Sequence, residues 1–557
     1  MAADRPDPTV RIFRWFLLAH LVVWTAIPTL TKPNPPIDVV EQVLWGHEWQ
    51  LGYTKHPPLP SWICGAAAAV TDRALWAQYM LPQLAVVLAF WAVWRLARRL
   101  LPPQAALLSV CLLECCPFYT CKCEALNNNY ALYPTWALAV LLLDRALRGP
   151  LGHRAKKTRT SLNEGGTELW PWLALGVCLG LGLLTKYTTL LLGGTMLAFG
   201  LLHPQARRAW RCPGPYLAII VATAVFLPHA VWLVRHDRAA VQHAVAHLQG
   251  PGGWHHHLEE PLRFGLFQLA MLAPLAVVLV PLAGLRWRWK CGQRSAVSTQ
   301  YPVPSTPYSV LSTQHSVAGA QPPSPSTPKS LNPQIPKSLL AAVVLVPVAA
   351  HLAVAAAGVP LRGDYGSPLW LLAGPLLLAC LELRPSSAAW RRTWMAWAAV
   401  VFLTMIGTLL HPTVVPYLLG KPTRIHYPGR LLADKVNEVW NQRYGRPLPI
   451  VAGDYFLAGN VALFSPQWPR VHQSWRGKKE DIGIERCPWL SDDEFRRLGG
   501  AIVWRAEDHP EGLSPEVVRR LGVVETIELP PLRLLTGAPL PPLNICVALV
   551  PPQANGR

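Results

Sequence analysis

Eleven apolar runs, most of them long enough for a membrane helix, leave this chain little choice but to fold as a helical membrane protein. A hydrocarbon core is crossed by about 20 apolar residues in a helix. The runs cover 12–30, 78–100, 104–121, 129–147, 170–185, 187–203, 214–234, 262–285, 338–357, 365–383 and 391–410. A shorter apolar stretch, 59–71, reads as a helix lying at the interface or dipping back into it. Only 15% of the residues are charged, well below the roughly one quarter of a soluble domain. The 25 Trp suit the aromatic belts of membrane interfaces. No cleavable leader is evident, and 12–30 reads as a retained first span.

Charge orients the runs. One set of loops carries Arg95, Arg98 and Arg99; Arg145, Arg148, Lys156 and Lys157; Arg207, Arg208 and Arg211; Arg286, Arg288 and Lys290; Arg391 and Arg392. These alternate with loops poor in Lys and Arg, which is the positive-inside pattern. The N-terminus is then cytoplasmic, and everything after about 411 is periplasmic or otherwise extracytoplasmic, with the chain multi-pass in the plasma (inner) membrane. The same clustering explains the net charge of +20 without nucleic acid, because the basic residues sit in short loops rather than on one face.

Residues 1–410 are therefore predicted to form a transmembrane domain of about 11 spans, with a first extracytoplasmic loop at 31–77. Residues 291–337 are rich in Ser, Pro, Thr and Gln and read as a disordered cytoplasmic insert. Residues 421–557 read as a small soluble α/β domain. A helix is predicted over 428–444, stopped by Gly445, and strands at 448–454, 500–504, 523–529 and 545–550. Ser491 to Glu494 is a capping-box pattern, and Ser514-Pro515 opens another helix. With no glycine-rich phosphate loop and no nucleophile elbow, this domain reads as a lid or acceptor-binding module.

Chemistry-bearing residues concentrate between Asp38 and Pro58. Asp38 and Glu41 are three apart and would share a helix face, while Val40, Val43 and Leu44 would press that helix on the bundle. A carboxylate held there can serve as a general base, or merely be a solvated acid on an interfacial helix. Lys55 and His56 follow beside Tyr53. Lys186, in GLLTKYT, sits between two apolar runs with almost no room for a loop; it would bind a phosphate oxygen or snorkel to headgroups. Arg362 and Asp364 share a short outside turn, where they would pair or contact phosphate or sugar. Asn127, Asn128 and Asn129 can hydrogen-bond a sugar or cap the next span, but cannot act as a base.

Two clusters invite a metal reading. His255, His256 and His257, before Glu259 and Glu260, lack the one-turn spacing of a helical metal pair. Cys115, Cys116, Cys121 and Cys123 crowd one loop mouth in no common zinc spacing, and a disulfide there is the stronger of the two readings.

The first loop carries a resemblance. Asp38, then Trp45 seven residues on, then LGYTKHPPLPSW, resembles glycosyltransferase family 39. Its members include the bacterial relatives of dolichyl-phosphate-mannose protein mannosyltransferases, with the lipid A aminoarabinose transferases as close cousins. GLLTKYT, NNNYALYPTW and VAGDYFLAGNVALFSPQWPRV support it. The resemblance implies a GT-C type fold and a polyprenyl-phosphate sugar donor. It also implies a catalytic acid at Asp38, and Lys186 where the donor phosphate is contacted. Two positions depart from the family pattern: Asp38 is followed by Val39, with Glu41 as the next acid, and Asn129 stands where many relatives have Asp.

Taken together, these features predict transfer of a sugar, hexosyl or pentosyl, from a polyprenyl-phosphate donor to an extracytoplasmic hydroxyl of a lipid, glycan or protein acceptor. Asp38 would be the base with Glu41 helping, while Tyr53, Lys55, His56, Asn129, Lys186 and Arg362 would bind substrate. No cofactor is implied, and a divalent metal is left open. The rival classes are a lipid or sugar transporter or flippase, which would place its polar groups near the bilayer midplane, and an inactive relative acting in assembly.

Overall fold

The computed structural model describes residues 7–152, 168–236, 253–282, 334–381, 386–420, 423–453, 455–472, 487, 489–507, 512–513 and 515–553. Most of the predicted insert at 291–337 lies outside them. The membrane portion is helical: α1 (Pro8–Thr31), α2 (Ile37–Glu48), α3 (Leu59–Val70), α4 (Leu75–Ala97), α5 (Pro103–Glu114), α6 (Leu132–Gly152), α7 (Trp170–Leu183), α8 (Thr189–Leu202), α9 (Gly214–Arg235), α10 (His256–Leu279), α11 (Gln334–Ala356), α12 (Ala373–Cys380) and α13 (Ser387–Leu419).

Among the described residues, six of these helices are long and apolar enough to cross a membrane: α1, α4, α9, α10, α11 and α13. The prediction of about 11 spans goes beyond that number. The run 104–121 stops as a helix at Glu114, and a 3₁₀ turn at Pro117–Tyr119 takes over. The run 365–383 divides into a 3₁₀ segment, Gly363–Trp370, and the short α12, with Pro368 and Pro375 withholding backbone donors. The helices α7 and α8 have 14 residues each. The stretch at 59–71 is the 12-residue α3, short as expected.

One buried polar cluster inside the bundle is fully paired. His20 Nδ1 of α1 lies 2.5 Å from Glu114 Oε2 of α5, the Trp24 indole donates to the other Glu114 oxygen at 2.6 Å, and Gln83 of α4 meets the far side of the imidazole at 3.1 Å. This satisfies a carboxylate that would otherwise be costly in hydrocarbon. At the end that carries the basic loops, Asp7 pairs with Arg98, and Asp144 with Arg99 and Arg148.

The C-terminal layer contains α14 (Gly429–Tyr444), β1 (Ile450–Gly453), α15 (Tyr455–Phe464), β2 (Arg470–His472), α16 (Asp492–Leu498), β3 (Gly500–Arg505), α17 (Pro515–Leu521), β4 (Glu525–Glu528) and β5 (Ile545–Val550). The sheet order is β2-β1-β3-β5-β4, with β1 parallel to both neighbours and β5 antiparallel to β3 and β4. Ser491 Oγ accepts from the Glu494 N–H and so caps α16, as its pattern predicts. Strand β2 and helix α15 have no counterpart in the sequence reading.

This layer sits directly on the first loop. Val39, Val40, Val43 and Leu44 of α2 share one buried cluster with Leu457, Ala458 and Val461 of α15 and with the sheet. A Cβ on Gly459 would fall 2.3 Å from Val40 Cγ1, so only glycine allows that approach. On its other side α2 crosses α3 at Gly46 and Gly65, whose backbones touch.

Candidate active site

Helix α2 places Asp38 in its first turn, half-buried, with Glu41 one turn on and 8% exposed. The apolar positions between them face the C-terminal layer. That fixes the carboxylates at the rim of the bundle, as the three-residue spacing predicts.

The three consecutive asparagines each take a different partner. Asn127 Nδ2 donates to Asp38 Oδ2 at 2.8 Å, while its Oδ1 accepts the backbone N–H groups of Asn129 and Tyr130. Asn128, buried, accepts from Gln42 at 3.1 Å and donates to the Thr185 carbonyl at 2.7 Å. Gln42 in turn accepts from Ser61 of α3. Asn129 Oδ1 accepts from Lys186 Nζ. The loop between α5 and α6 therefore ties Asp38 on one side to Lys186 on the other.

Lys186 occupies the tight turn between α7 and α8. Its ammonium lies 3.9 Å from the centre of the Tyr365 ring, on the 3₁₀ segment after α11. Its pKa is pushed down to about 7, first by burial and then by the field of Arg362, with Asp364 acting in the opposite sense. Arg362 is exposed beside this group. Asp364 does not pair with Arg362, as the sequence allowed; it faces Lys122 at 3.5 Å, because residues two apart in this turn diverge.

Lys55 belongs to the same rim. Its Nζ donates to Glu41 Oε1 at 2.8 Å and to the Tyr455 hydroxyl at 3.2 Å. His56 lies edge-on to the Trp45 ring at 6.2 Å. Tyr53 differs from expectation. It is fully buried, stacked on Trp45 at 5.2 Å with its hydroxyl donating to the Trp45 carbonyl, so its ring shapes the loop and offers no face to a sugar. Glu41 is likewise engaged by Lys55, so among the described residues Asp38 is the acid held by an amide rather than by a cation.

Helix α9 holds the loop from behind. His229 Nδ1 lies 2.7 Å from the Leu51 carbonyl and its Nε2 2.8 Å from the Tyr187 hydroxyl. Trp232 lies so close to Gly52 that a Cβ there would fall 2.4 Å from the indole. On the solvent side, His47 stacks on Trp468 at 4.1 Å, and Glu48 makes a bidentate contact with Arg470, which also reaches Glu494. None of these clamps was read from the sequence. The partners that reach the first loop lie 178 to 422 residues from it in sequence, beyond any local spacing signal.

A cavity of about 540 Å³ opens between α6, α7, α8 and α9, lined at one end by Tyr187, the residue after Lys186. Tyr187 and Thr189 mark one end and Trp210 the other, with Leu183, Leu190 and Phe226 among its almost wholly apolar walls. Gly193 and Gly194 leave space unfilled along it.

For a metal, the one triad among the described residues is His255, His256 and Glu259, at the start of α10, whose ligand atoms lie within 4.8 Å of one another. The rings of the adjacent His255 and His256 lie 4.1 Å apart, although they lack one-turn spacing. The four loop cysteines, Cys115, Cys116, Cys121 and Cys123, are free and form no disulfide.

Known proteins share sequence with part of this chain and fold with nearly all of it. Residues 55–232 match the family described as dolichyl-phosphate-mannose-protein mannosyltransferase. That span holds Lys55, His56, the three asparagines and Lys186, but neither Asp38 nor Arg362. The chain is 25% identical over 237 residues to the lipopolysaccharide core galacturonosyltransferase RgtA of Rhizobium johnstonii, covering 41% of this chain and 43% of that protein. It is 25% identical over 244 residues to the lipid A galacturonosyltransferase RgtD of the same organism, covering 43% and 46%. The matched region thus spans less than half the length of these relatives. In fold, the chain is similar to ArnT from Cupriavidus metallidurans, solved in the apo state and bound to undecaprenyl phosphate. The TM-score to the apo structure is 0.55 at 12% identity, over 97% of this chain and 98% of that one. Sequence similarity to the mannosyltransferase family thus covers 55–232, and similarity of fold to ArnT covers nearly the whole chain.

Proposed function

We propose that this chain transfers a sugar from a polyprenyl-phosphate donor to a hydroxyl of an extracytoplasmic lipid, glycan or protein acceptor. The observation that carries the reading is the continuous polar link Asp38–Asn127–Asn129–Lys186, with an apolar cavity lined by the next residue, Tyr187. A lipid-phosphate donor needs both: a dry path for isoprenoid and cations for phosphate. The relatives' names, and the lipid in the similar ArnT structure, support the same donor class.

In this reading Asp38 accepts the proton of the acceptor hydroxyl as that oxygen bonds to the anomeric carbon. The bond from that carbon to the donor phosphate breaks, and its electron pair leaves on the phosphate oxygen. Lys186, with Arg362 beside it, stabilises the charge that builds there, and Lys55, held on Glu41, is assigned a second phosphate contact. Glu41 holds Lys55, and Asn127 holds Asp38. The apolar cavity lined by Tyr187 takes the isoprenoid. The assignment extends to topology: N-terminus cytoplasmic, residues 1–410 in the inner membrane, and 421–557 outside as the acceptor-side layer.

The test is transfer by purified protein supplied with undecaprenyl-phosphate sugars and a lipid acceptor. Product formation that disappears in Asp38→Asn, with the variant still folded, is expected. Absence of transfer with every such donor refutes the reading.

A further inference from the structure

We propose that Tyr455, from the C-terminal layer, is a positioning residue of the active site that sets the Lys55 ammonium for the leaving phosphate. The inference rests on the polyprenyl-phosphate reading above.

An ammonium has three N–H donors. Among the described residues, Glu41 Oε1 at 2.8 Å and the Tyr455 hydroxyl at 3.2 Å engage Lys55 Nζ. Two contacts of this kind leave one donor for a phosphate oxygen. The same ammonium lies 4.6 Å from the Tyr455 ring centre and 5.7 Å from that of Trp45. It is thus bracketed by one ring from the first loop and one from the C-terminal layer, as cation–π contacts prefer.

The position of Tyr455 is built rather than accidental. It is the first residue of α15, directly beyond the carboxyl end of β1. Strand β1 has parallel neighbours on both sides, β2 and β3, so the chain leaves it one way and returns on the other. Ligand-facing residues of open α/β sheets gather outside the carboxyl ends of strands at such a switch. Gly453, at φ 133, lets that end press on β3, where a Cβ would fall 2.0 Å from the Val503 carbonyl oxygen. Gly459 then seats α15 on Val40 and Leu44 of α2, the helix that carries Asp38 and Glu41. The side chain that this places on Lys55 is a phenol, which offers both a hydroxyl and a ring.

The experiment is a double-mutant cycle in the donor-dependent transfer assay, with undecaprenyl-phosphate binding as a second readout. Tyr455→Phe keeps the ring and removes the hydroxyl; Tyr455→Leu removes both. For Tyr455→Phe, kcat/KM for donor is expected to fall about tenfold, and further for Tyr455→Leu, as for a hydrogen bond to a charged group. In a Lys55→Met background the same Tyr455 substitutions are expected to cost less than about twofold, because the group they act through is gone. Equal losses in both backgrounds, or unaltered donor kinetics in folded Tyr455→Phe, overturn the proposal. If the wild type binds undecaprenyl phosphate but transfers no sugar, the reaction assignment fails while weaker binding by Tyr455→Phe still supports the positioning role and unchanged binding overturns it. A wild type that does neither overturns both.

Discussion

Asn129→Asp is the substitution that most sharply tests the electrostatics of this site. Asn and Asp are nearly isosteric, so the change adds a charge beside Lys186 Nζ with little else altered. Burial and the field of Arg362 push the Lys186 pKa down to about 7, with Asp364 acting in the opposite sense. Its protonated form is the one that can stabilise a leaving phosphate, so donor use by the wild type should fall as pH rises through about 7. Coulomb's law at an effective dielectric near 20 gives about 5 kcal/mol for a full charge about 3 Å away, or about four pKa units. Desolvation of the new carboxylate takes back about half, which leaves a rise of about two units. The descending limb should therefore move to about pH 9. The same carboxylate is a permanent counter-ion that competes with phosphate, so at pH 6 the donor KM should rise about tenfold. The two pH profiles of kcat/KM for donor, measured from pH 6 to 9.5, should cross. Parallel profiles would refute both the titration of Lys186 and its role at the phosphate.

Other perturbations follow from single contacts. Asp38→Asn removes the base and should lower kcat by about 10² to 10⁴ while leaving the melting temperature unmoved; near-normal transfer would exclude Asp38. Asn127→Ala removes the amide that donates to Asp38 and should lower kcat about tenfold, with no further loss in an Asp38→Asn background. Gly46→Ala would set a methyl 2.1 Å from the Ser61 carbonyl oxygen; it should destabilise by about 1–3 kcal/mol, read as a lower melting temperature in detergent. Because the folded pKa of Lys186 is depressed, the unfolded chain binds its proton more readily between about 7 and 10.5. Stability should then rise with pH across that window, and Lys186→Met should flatten the slope. An unchanged slope would count against burial of that ammonium.

The elements with a local signal were legible in the sequence. Helix α2 follows from acids three apart and apolar residues between them. The cap at Ser491 follows from Glu three residues on, and α14 ends at Gly445, whose φ of 60 suits glycine. What the sequence could not show were pairings across the chain. Nothing near Lys55 announces Tyr455, although the apolar FLAGNVALF after a strand was a helix signal that went unread. Tyr53 looked like a sugar platform because aromatic residues beside charged ones suit that role; only the stacking on Trp45 shows the ring to be occupied. The span number of about 11 goes beyond the six long apolar helices among the described residues, because several apolar runs form shorter or proline-interrupted helices.

The asparagines resolve the departure from the family pattern in physical terms. A carboxylate at 129 would neutralise Lys186, and one at 127 would repel Asp38. A neutral amide does neither: Asn127 donates to the anion through its nitrogen, and Asn129 accepts from the cation through its oxygen. Asp38 thus keeps an unshared oxygen, while Lys186 meets a neutral amide rather than a counter-ion at 129. Asn128, between them, is spent on Gln42 and the Thr185 carbonyl, which locks the loop that carries its neighbours. Three identical residues in a row therefore do three different jobs, and the middle one decides whether the outer two can reach their partners. Asn128→Ala should for that reason lower transfer more than Asn129→Ala does, although it touches neither charged group.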